Sequence, residues 1–193
     1  MPRESQKQRS EALRQKILDT ALQIGLEEGF EALSVRKIIN RLNYSTSIIY
    51  HHFKNKQEII DMLVQSLSQQ LAEEISSVIN EDNPLIDNLK TAFHLVTMLA
   101  VKEPEKYNLI VLRKYSSKGA ASPQWVNHIC KNMETAIAQG QMRKIDAYSA
   151  AYSVWSSFLG FHIMLSLQEG LTEQKTEELF CVQMDILLNG ILK

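Results

Sequence analysis

Apolar residues recur along this chain at spacings of three and four, the period of helices with one buried face. Leu13, Ile17, Leu18, Ala21, Leu22 and Ile24 give the first such stripe, and Gly29 stands where a C-terminal cap belongs. A second, shorter pattern follows Ser34, whose side-chain oxygen can accept from a first-turn N–H. Val35, Ile38, Ile39 and Leu42 fall on one face of it, with Arg36, Lys37, Asn40 and Arg41 on the other. Asn43, which tolerates left-handed backbone, closes it. Ser45 can cap a third helix, in which Ile49 and Phe53 point inward one turn apart. Thr46, Ser47, Tyr50, His51 and His52 point outward with no acid among them, and Lys54 and Lys56 follow.

The rest of the chain carries the same period. Ile60, Leu63, Leu67, Leu71, Ile75 and Val78 make one long stripe, broken at residues 80–83. Pro84 is placed at the first position of the next helix, where its missing N–H costs nothing. Leu85, Leu89, Phe93, Val96 and Ala100 continue that helix, and Pro104 starts another with Tyr107, Ile110, Val111 and Tyr115. Small residues from Ser116 to Ala121 form a loop. Ser122 and Pro123 open a helix with Val126, Ile129, Cys130, Met133 and Ile137 inside, ended by Gly140. From Asp146 to Leu167 apolar residues run almost all the way round, and they do so again after Thr172, through Leu179, Val182, Ile186, Ile191 and Leu192. A helix apolar on most sides has more than one face to bury. The last two helices, within residues 146–192, are therefore expected to pair with a second copy as a four-helix bundle. Two central core helices are the alternative.

A short helix, a sharp turn and a second polar, basic-flanked helix make a helix-turn-helix, whose second helix enters the DNA major groove. The order Ser34-Val-Arg-Lys-Ile, then Leu42-Asn-Tyr-Ser, then Ile49-Tyr50-His51-His52-Phe53-Lys54-Asn55-Lys56 resembles the N-terminal domain of TetR-family transcriptional regulators. The most specific part is Tyr50-x-x-Phe53-x-x-Lys56 ahead of an amphipathic helix, and the likeness covers roughly residues 9 to 60. The family commonly has Gly at the position of Asn43, Val at Tyr44, and Gly and Thr at Ser47 and Ile48; Ile48 has nothing to donate to a phosphate. The resemblance implies that Tyr50 and Lys56 hold phosphates and that Ser34 and Arg36 approach DNA from the second helix. It also implies that Thr46, Ser47 and His51 lie nearest the base edges, with His52 beside them.

Composition narrows the alternatives. Gly and Pro are few, 7 and 4 residues, and strand-like alternation is absent, so the class reads all-α. The expected layout is a three-helix helix-turn-helix domain over residues 1–56 and a larger helical effector-binding and dimerisation domain over residues 57–193. The net charge of -1 conceals +3 on residues 1–60 and -4 on the remainder, which places an anionic partner at the N-terminal end. Arg3, Lys7 and Arg9 read either as a frayed tail or as an arm touching phosphates or the minor groove. No apolar run reaches the roughly 18 residues of a membrane span and no secretion signal is present, so the expected compartment is the cytoplasm. Cys130 and Cys181 read as reduced, buried small hydrophobes. Adjacent residues on a helix point about 100° apart, so His51 and His52 are not expected to share a metal. No phosphate loop, nucleophile elbow, His-Glu-x-x-His or Cys-x-x-Cys is present, so neither an enzyme nor a cofactor is expected.

Phe93, His94, Met98, Tyr107, Trp125, His128, Tyr152, Trp155, Phe158 and His162 bring aromatic, methionine and histidine residues onto several helices. Such a set either lines an apolar cavity with a few polar anchors or is plain core. The resemblance favours the cavity, holding a small lipophilic or aromatic effector. Together these features describe a ligand-responsive regulator, most simply a repressor, binding a near-palindromic operator as a dimer. A helical dimer acting through protein or small-molecule partners without DNA is the other class.

Overall fold

The computed structural model describes residues 2–80, 82–117, 123–168 and 170–189. All regular elements among them are helices: α1 (Pro2–Glu28), α2 (Val35–Leu42), α3 (Thr46–His52), α4 (Lys56–Val78), α5 (Leu85–Lys102), α6 (Pro104–Ile110), α7 (Pro123–Ala138), α8 (Ala147–Ser166) and α9 (Glu173–Asn189). Ser122, Ile191, Leu192 and the loop from residue 118 to 121 lie outside the described residues, as does the side chain of Arg3. No helix among the described residues is long and apolar enough to cross a membrane.

The chain forms two compact units. One comprises Met1–Gln70 with Asn108–Ala121, the other Leu71–Tyr107 with Ser122–Lys193. The first unit is thus larger than the three helices of the expected 1–56 domain, because the first half of α4 and the segment after α6 pack with them.

In the first unit Ile17, Ala21, Ile24, Phe30, Leu33, Ile38, Ile49, Phe53, Ile59 and Ile60 are buried, each exposed by 2% or less. Full burial of side chains this size stabilises by about 1.5–3 kcal/mol each. Phe30 lies against Gly25: a Cβ there would stand 2.3 Å from the ring, so only glycine lets the ring seat on α1. Gly29, at φ 85°, turns the chain out of α1. Ser34 caps α2, its hydroxyl accepting from the Lys37 N–H at 3.2 Å. Asn43 ends it at φ 55°, ψ 42°, donating its backbone N–H to the Ile39 carbonyl. Ser45 caps α3 by backbone alone. Its hydroxyl bonds Ser47 Oγ at 2.9 Å and makes no cap bond, because the two serines on the first exposed turn satisfy each other. Residues 6–10 continue α1 as exposed helix rather than as a frayed tail. Gln, Lys and Arg are good helix formers, and a helix anchored from Ile17 onward extends through them at little cost.

In the second unit α7 and α8 pack together most extensively, and α5 lies against α7, α8 and α9. The turn between α4 and α5 is closed by Asn88, which is buried. Its amide donates to the Asn80 carbonyl at 2.8 Å and its oxygen accepts from the Asn80 N–H at 3.2 Å. Pro84 is the N-cap of α5 rather than its first residue: at ψ 140° it is still extended, and its carbonyl receives the N–H groups of Asp87 and Asn88. Asp146 caps α8 through the Ser149 N–H, and Thr172 caps α9 through the Lys175 N–H. Three positions differ from the apolar pattern. Val78 is exposed at the end of α4, where its helix has left the buried stripe. Cys130 is half-buried and Cys181 exposed, so neither is the buried hydrophobe the pattern implies. Cys181 stands on a helix apolar nearly all round, where the sequence does not say which flank turns outward.

Candidate nucleic-acid interface

The third helix is fixed from beneath. Ile49 and Phe53, 0% and 2% exposed, pin α3 to the core of the first unit, and the Phe53 N–H closes the helix on the Ile49 carbonyl. Arg14 of α1 reinforces the far end, its guanidinium 5.4 Å from the Phe53 ring and donating to the Met62 sulfur at 2.9 Å. With that face fixed, helical geometry turns Thr46, Ser47, Tyr50 and His51 to solvent, and all four are exposed; Tyr50 retains 53% of its surface. The face carries hydroxyls, an imidazole and a phenol, with no carboxylate. Such groups donate to phosphates and base edges without repelling them.

The basic residues of α2 divide into two kinds. Lys37 pairs with Glu28 at 2.6 Å, and Arg41 with Glu27 at 2.7 Å and Glu28 at 3.4 Å. These pairs offset two acids at the C-terminal end of α1, where the helix dipole disfavours negative charge. The Lys37 hydrogen bond holds the Glu28 carboxyl below its ordinary range. Arg36 is exposed beside them. Ser34, half-buried, uses its hydroxyl as the α2 cap. Lys56 Nζ donates to the Glu31 carbonyl at 3.2 Å, which steadies the side chain while two of its three N–H donors stay available. His51 and His52 stand edge to face at 5.2 Å between ring centres. Burial first, then the charges of His51 and Arg14, push the His52 imidazole below its ordinary pKa. No cluster of metal-ligating side chains occurs among the described residues.

Sequence reasoning did not find that α1 shares this surface. Gln6, Lys7, Arg9, Ser10, Glu11 and Leu13 face His51 and His52 across an open groove of about 500 Å³. Lys7 and Arg9 were legible as candidates; their nearness to α3 was not, since some forty residues intervene. Arg14 carried no signal either, because a lone Arg on a helix face is ordinary.

The second set of candidates divides. Tyr107, Trp155, Phe158, Phe93 and His162 are buried together. Phe93 and Phe158 stack at 4.2 Å and Trp125 and Trp155 at 5.7 Å, while the Phe158 and His162 rings meet at 4.2 Å. His162 sits in a complete hydrogen-bond chain. The Thr97 hydroxyl donates to the Phe93 carbonyl at 2.9 Å, so its oxygen accepts from His162 Nε2–H at 3.0 Å, leaving Nδ1 to accept from the Tyr107 hydroxyl at 2.7 Å. Burial lowers the His162 pKa to about 4 and raises that of Tyr107. Met98 and Trp125 are half-buried at the margin of the cluster. His94, His128 and Tyr152 do not join it. His94 bonds the Glu177 carboxylate at 2.6 Å on the surface, and His128 and Tyr152 are exposed. Each lies on the outer flank of a helix whose inner flank is already filled.

Fold and site define a helix-turn-helix DNA-binding regulator. Residues 17–63 match the family described as bacterial regulatory proteins, tetR family. The chain is 22% identical over 188 residues to the transcriptional repressor AcnR of Corynebacterium glutamicum, covering 84% of this chain and 93% of that protein. It is 33% identical over 54 residues to the class C tetracycline repressor protein of Escherichia coli, covering 28% of this chain and 25% of that one. The structure of SmeT, repressor of the Stenotrophomonas maltophilia multidrug efflux pump SmeDEF, superposes with a TM-score of 0.71 at 22% identity, covering 93% and 90% of the two chains. That last likeness is one of fold. Residues 17–63 thus carry a DNA-binding domain of the tetR-family type, and the chain is read as a DNA-binding transcriptional regulator.

Proposed function

We propose that the chain acts in the cytoplasm as a homodimeric repressor that reads a near-palindromic operator and is released by a small lipophilic or aromatic effector. Residues 1–56 carry the DNA contacts, and residues 57–193 carry the effector and the dimer seam. The observation that carries this reading is the α3 face: Thr46, Ser47, Tyr50 and His51 exposed together over a fully buried Ile49. Tyr50, Lys56, Ser34 and Arg36 position the protein on phosphates; Thr46, Ser47 and His51 select bases, with His52 and the α1 groove beside them.

Dimerisation is supported by an apolar stripe on the outside of α8 and α9. Tyr148, Tyr152 and Ile163 on α8, Leu167 at its C-cap, and Val182 and Ile186 on α9 are all more than half exposed. Ser156 and Gly160 lie between the α8 residues, and nothing stands within 4 Å of where a Gly160 Cβ would be, so a second helix can approach closely. An obligate seam buries upwards of about 2,000 Å². Pairing through it sets two recognition helices about 34–36 Å apart, or a multiple of one DNA turn. The buried aromatic cluster around His162 supplies apolar surface with one ordered polar chain, the composition of a site for a lipophilic ligand. The test is selection from random duplex DNA with the purified protein, followed by a gel-shift titration. Recovery of an inverted repeat bound by a dimer supports the reading; no enriched sequence at low salt refutes it.

A further inference from the structure

His51 and His52 occupy the last turn of α3, where the unpaired helix carbonyls favour a positive ring. Most of what surrounds His52 opposes one. It is half-buried, and its ring meets that of His51 edge to face at 5.2 Å. Arg14 of α1 stands near it, the guanidinium held over the Phe53 ring at 5.4 Å and on the Met62 sulfur of α4 at 2.9 Å. Across the open groove α1 presents Lys7 and Arg9, with Glu11 the one carboxylate among the described residues that line it. After α3 comes Lys54, exposed, whose backbone N–H donates to the Glu58 carboxylate of α4 at 2.6 Å. Among the described residues His52 has ring contacts but no hydrogen bond. Burial first, then the charges of His51 and Arg14, hold its pKa below the ordinary 6.5, so the free protein carries a neutral ring here at neutral pH.

We infer that DNA binding by the helix-turn-helix head is coupled to proton uptake: a backbone phosphate that enters the groove between α1 and α3 is bonded by the His52 imidazole in its protonated form. The inference rests on the DNA-binding reading above, and not on the spacing or symmetry of half-sites. The step adds a proton from solvent to the free ring nitrogen, after which both nitrogens donate. A phosphate oxygen only accepts, and the protonated ring gives it a shorter, charge-assisted bond. The phosphate also brings the negative charge that offsets Arg14, Lys7 and Arg9, which reverses the balance that keeps the ring neutral in the free protein. The complex then holds the proton more tightly than the free protein does. Affinity therefore rises as pH falls through the His52 pKa of the complex, and levels off below that of the free protein. Between the two, one proton gives at most about a tenfold gain per pH unit.

The experiment uses the full-length protein, a duplex selected by the wild type, and an unrelated duplex of equal length at low salt. Affinities are measured at constant ionic strength from about pH 8 to about pH 6, and the histidine ring signals are followed by NMR with and without DNA. The wild type is expected to bind both duplexes about three- to tenfold more tightly at the acid end. Calorimetry in buffers of different ionisation enthalpy is expected to show net proton uptake. His52→Gln keeps a donor but cannot take up a proton, and its affinity should change by less than about twofold over the same range. His51→Gln should keep most of the dependence. In the wild type the His52 ring should titrate at higher pH in the complex than alone, a reading that stands even if His52→Gln loses all binding. A flat wild-type profile, a His52→Gln variant with the full dependence, or a His52 midpoint unmoved by DNA overturns the inference. A wild type that binds neither duplex at any pH overturns the DNA-binding reading itself and the inference with it.

Discussion

His162 and Tyr107, 55 positions apart, meet inside the second unit with ring nitrogen and phenolic oxygen at 2.7 Å and their rings edge to face at 5.0 Å. The Thr97 bond on the other ring nitrogen fixes the tautomer. A neutral Nε2–H imidazole satisfies every partner, whereas a protonated ring would force the Tyr107 hydroxyl to give up its donor role. Three helices, α5, α6 and α8, are thereby joined by one directed chain of hydrogen bonds.

Stability should fall in mild acid for this reason. The folded-state pKa of His162, about 4, lies below the ordinary 6.5. Between those values the unfolded chain binds the proton and the folded one does not. The contribution is fully present above the unfolded value and is lost as pH falls from 6.5 toward 4, at up to about 1.4 kcal/mol per pH unit and on the order of 3 kcal/mol in total. Thermal melts of the wild type from pH 7.5 to pH 4 are expected to show this decline. His162→Gln should be less stable at pH 7.5 by about 1–3 kcal/mol and its melting temperature should vary less over the same range. Parallel curves for the two proteins would rule the assignment out.

On DNA, Tyr50→Ala and Lys56→Ala are each expected to weaken operator binding about tenfold or more while leaving a folded dimer. Lys56→Ala should also reduce the salt slope of log K by about one. Gel-shift titrations at several salt concentrations measure both. Unchanged affinity in both variants would remove these residues from the interface.

At Asn43 the backbone is left-handed, φ 55°. Asn43→Gly should be neutral or slightly stabilising, and Asn43→Val should cost about 1–2 kcal/mol, read from the urea midpoint. A valine variant as stable as the wild type would contradict the left-handed cap.

The exposed stripe of α8 and α9 predicts its own result. Ile186 is 67% exposed and Val182 57% exposed, so Ile186→Lys with Val182→Asp should leave the monomer's core untouched. Sedimentation velocity should show a helical monomer that has lost high-affinity operator binding. A double variant that remains dimeric would move the seam elsewhere.

Much of the head was legible along the chain. Ser34, Asn43 and Gly29 were readable as caps or helix stops because a cap is decided by residues three or four positions away. Ile49 and Phe53 were readable as the inner side of α3 because one apolar pair on a seven-residue helix leaves a single way to face. The body was harder. Cys181 and Tyr152 stand on helices whose apolar residues nearly encircle the axis, and there the pattern fixes the helix but not its rotation; His94 and His128 stand beside the apolar stripes of α5 and α7, where a histidine can face either way.

The chain alone determined that these helices exist, where α2 is capped and stopped, and which side of α3 is polar, since those depend on propensity, capping and short-range period. Tertiary structure alone decided that Asp61 would meet Ser117 at 2.6 Å, that Tyr107 would meet His162, and that Lys7 and Arg9 would line a groove with His51. The physical reason is distance along the polymer. A contact across fifty residues depends on how whole elements pack, and no local spacing records it.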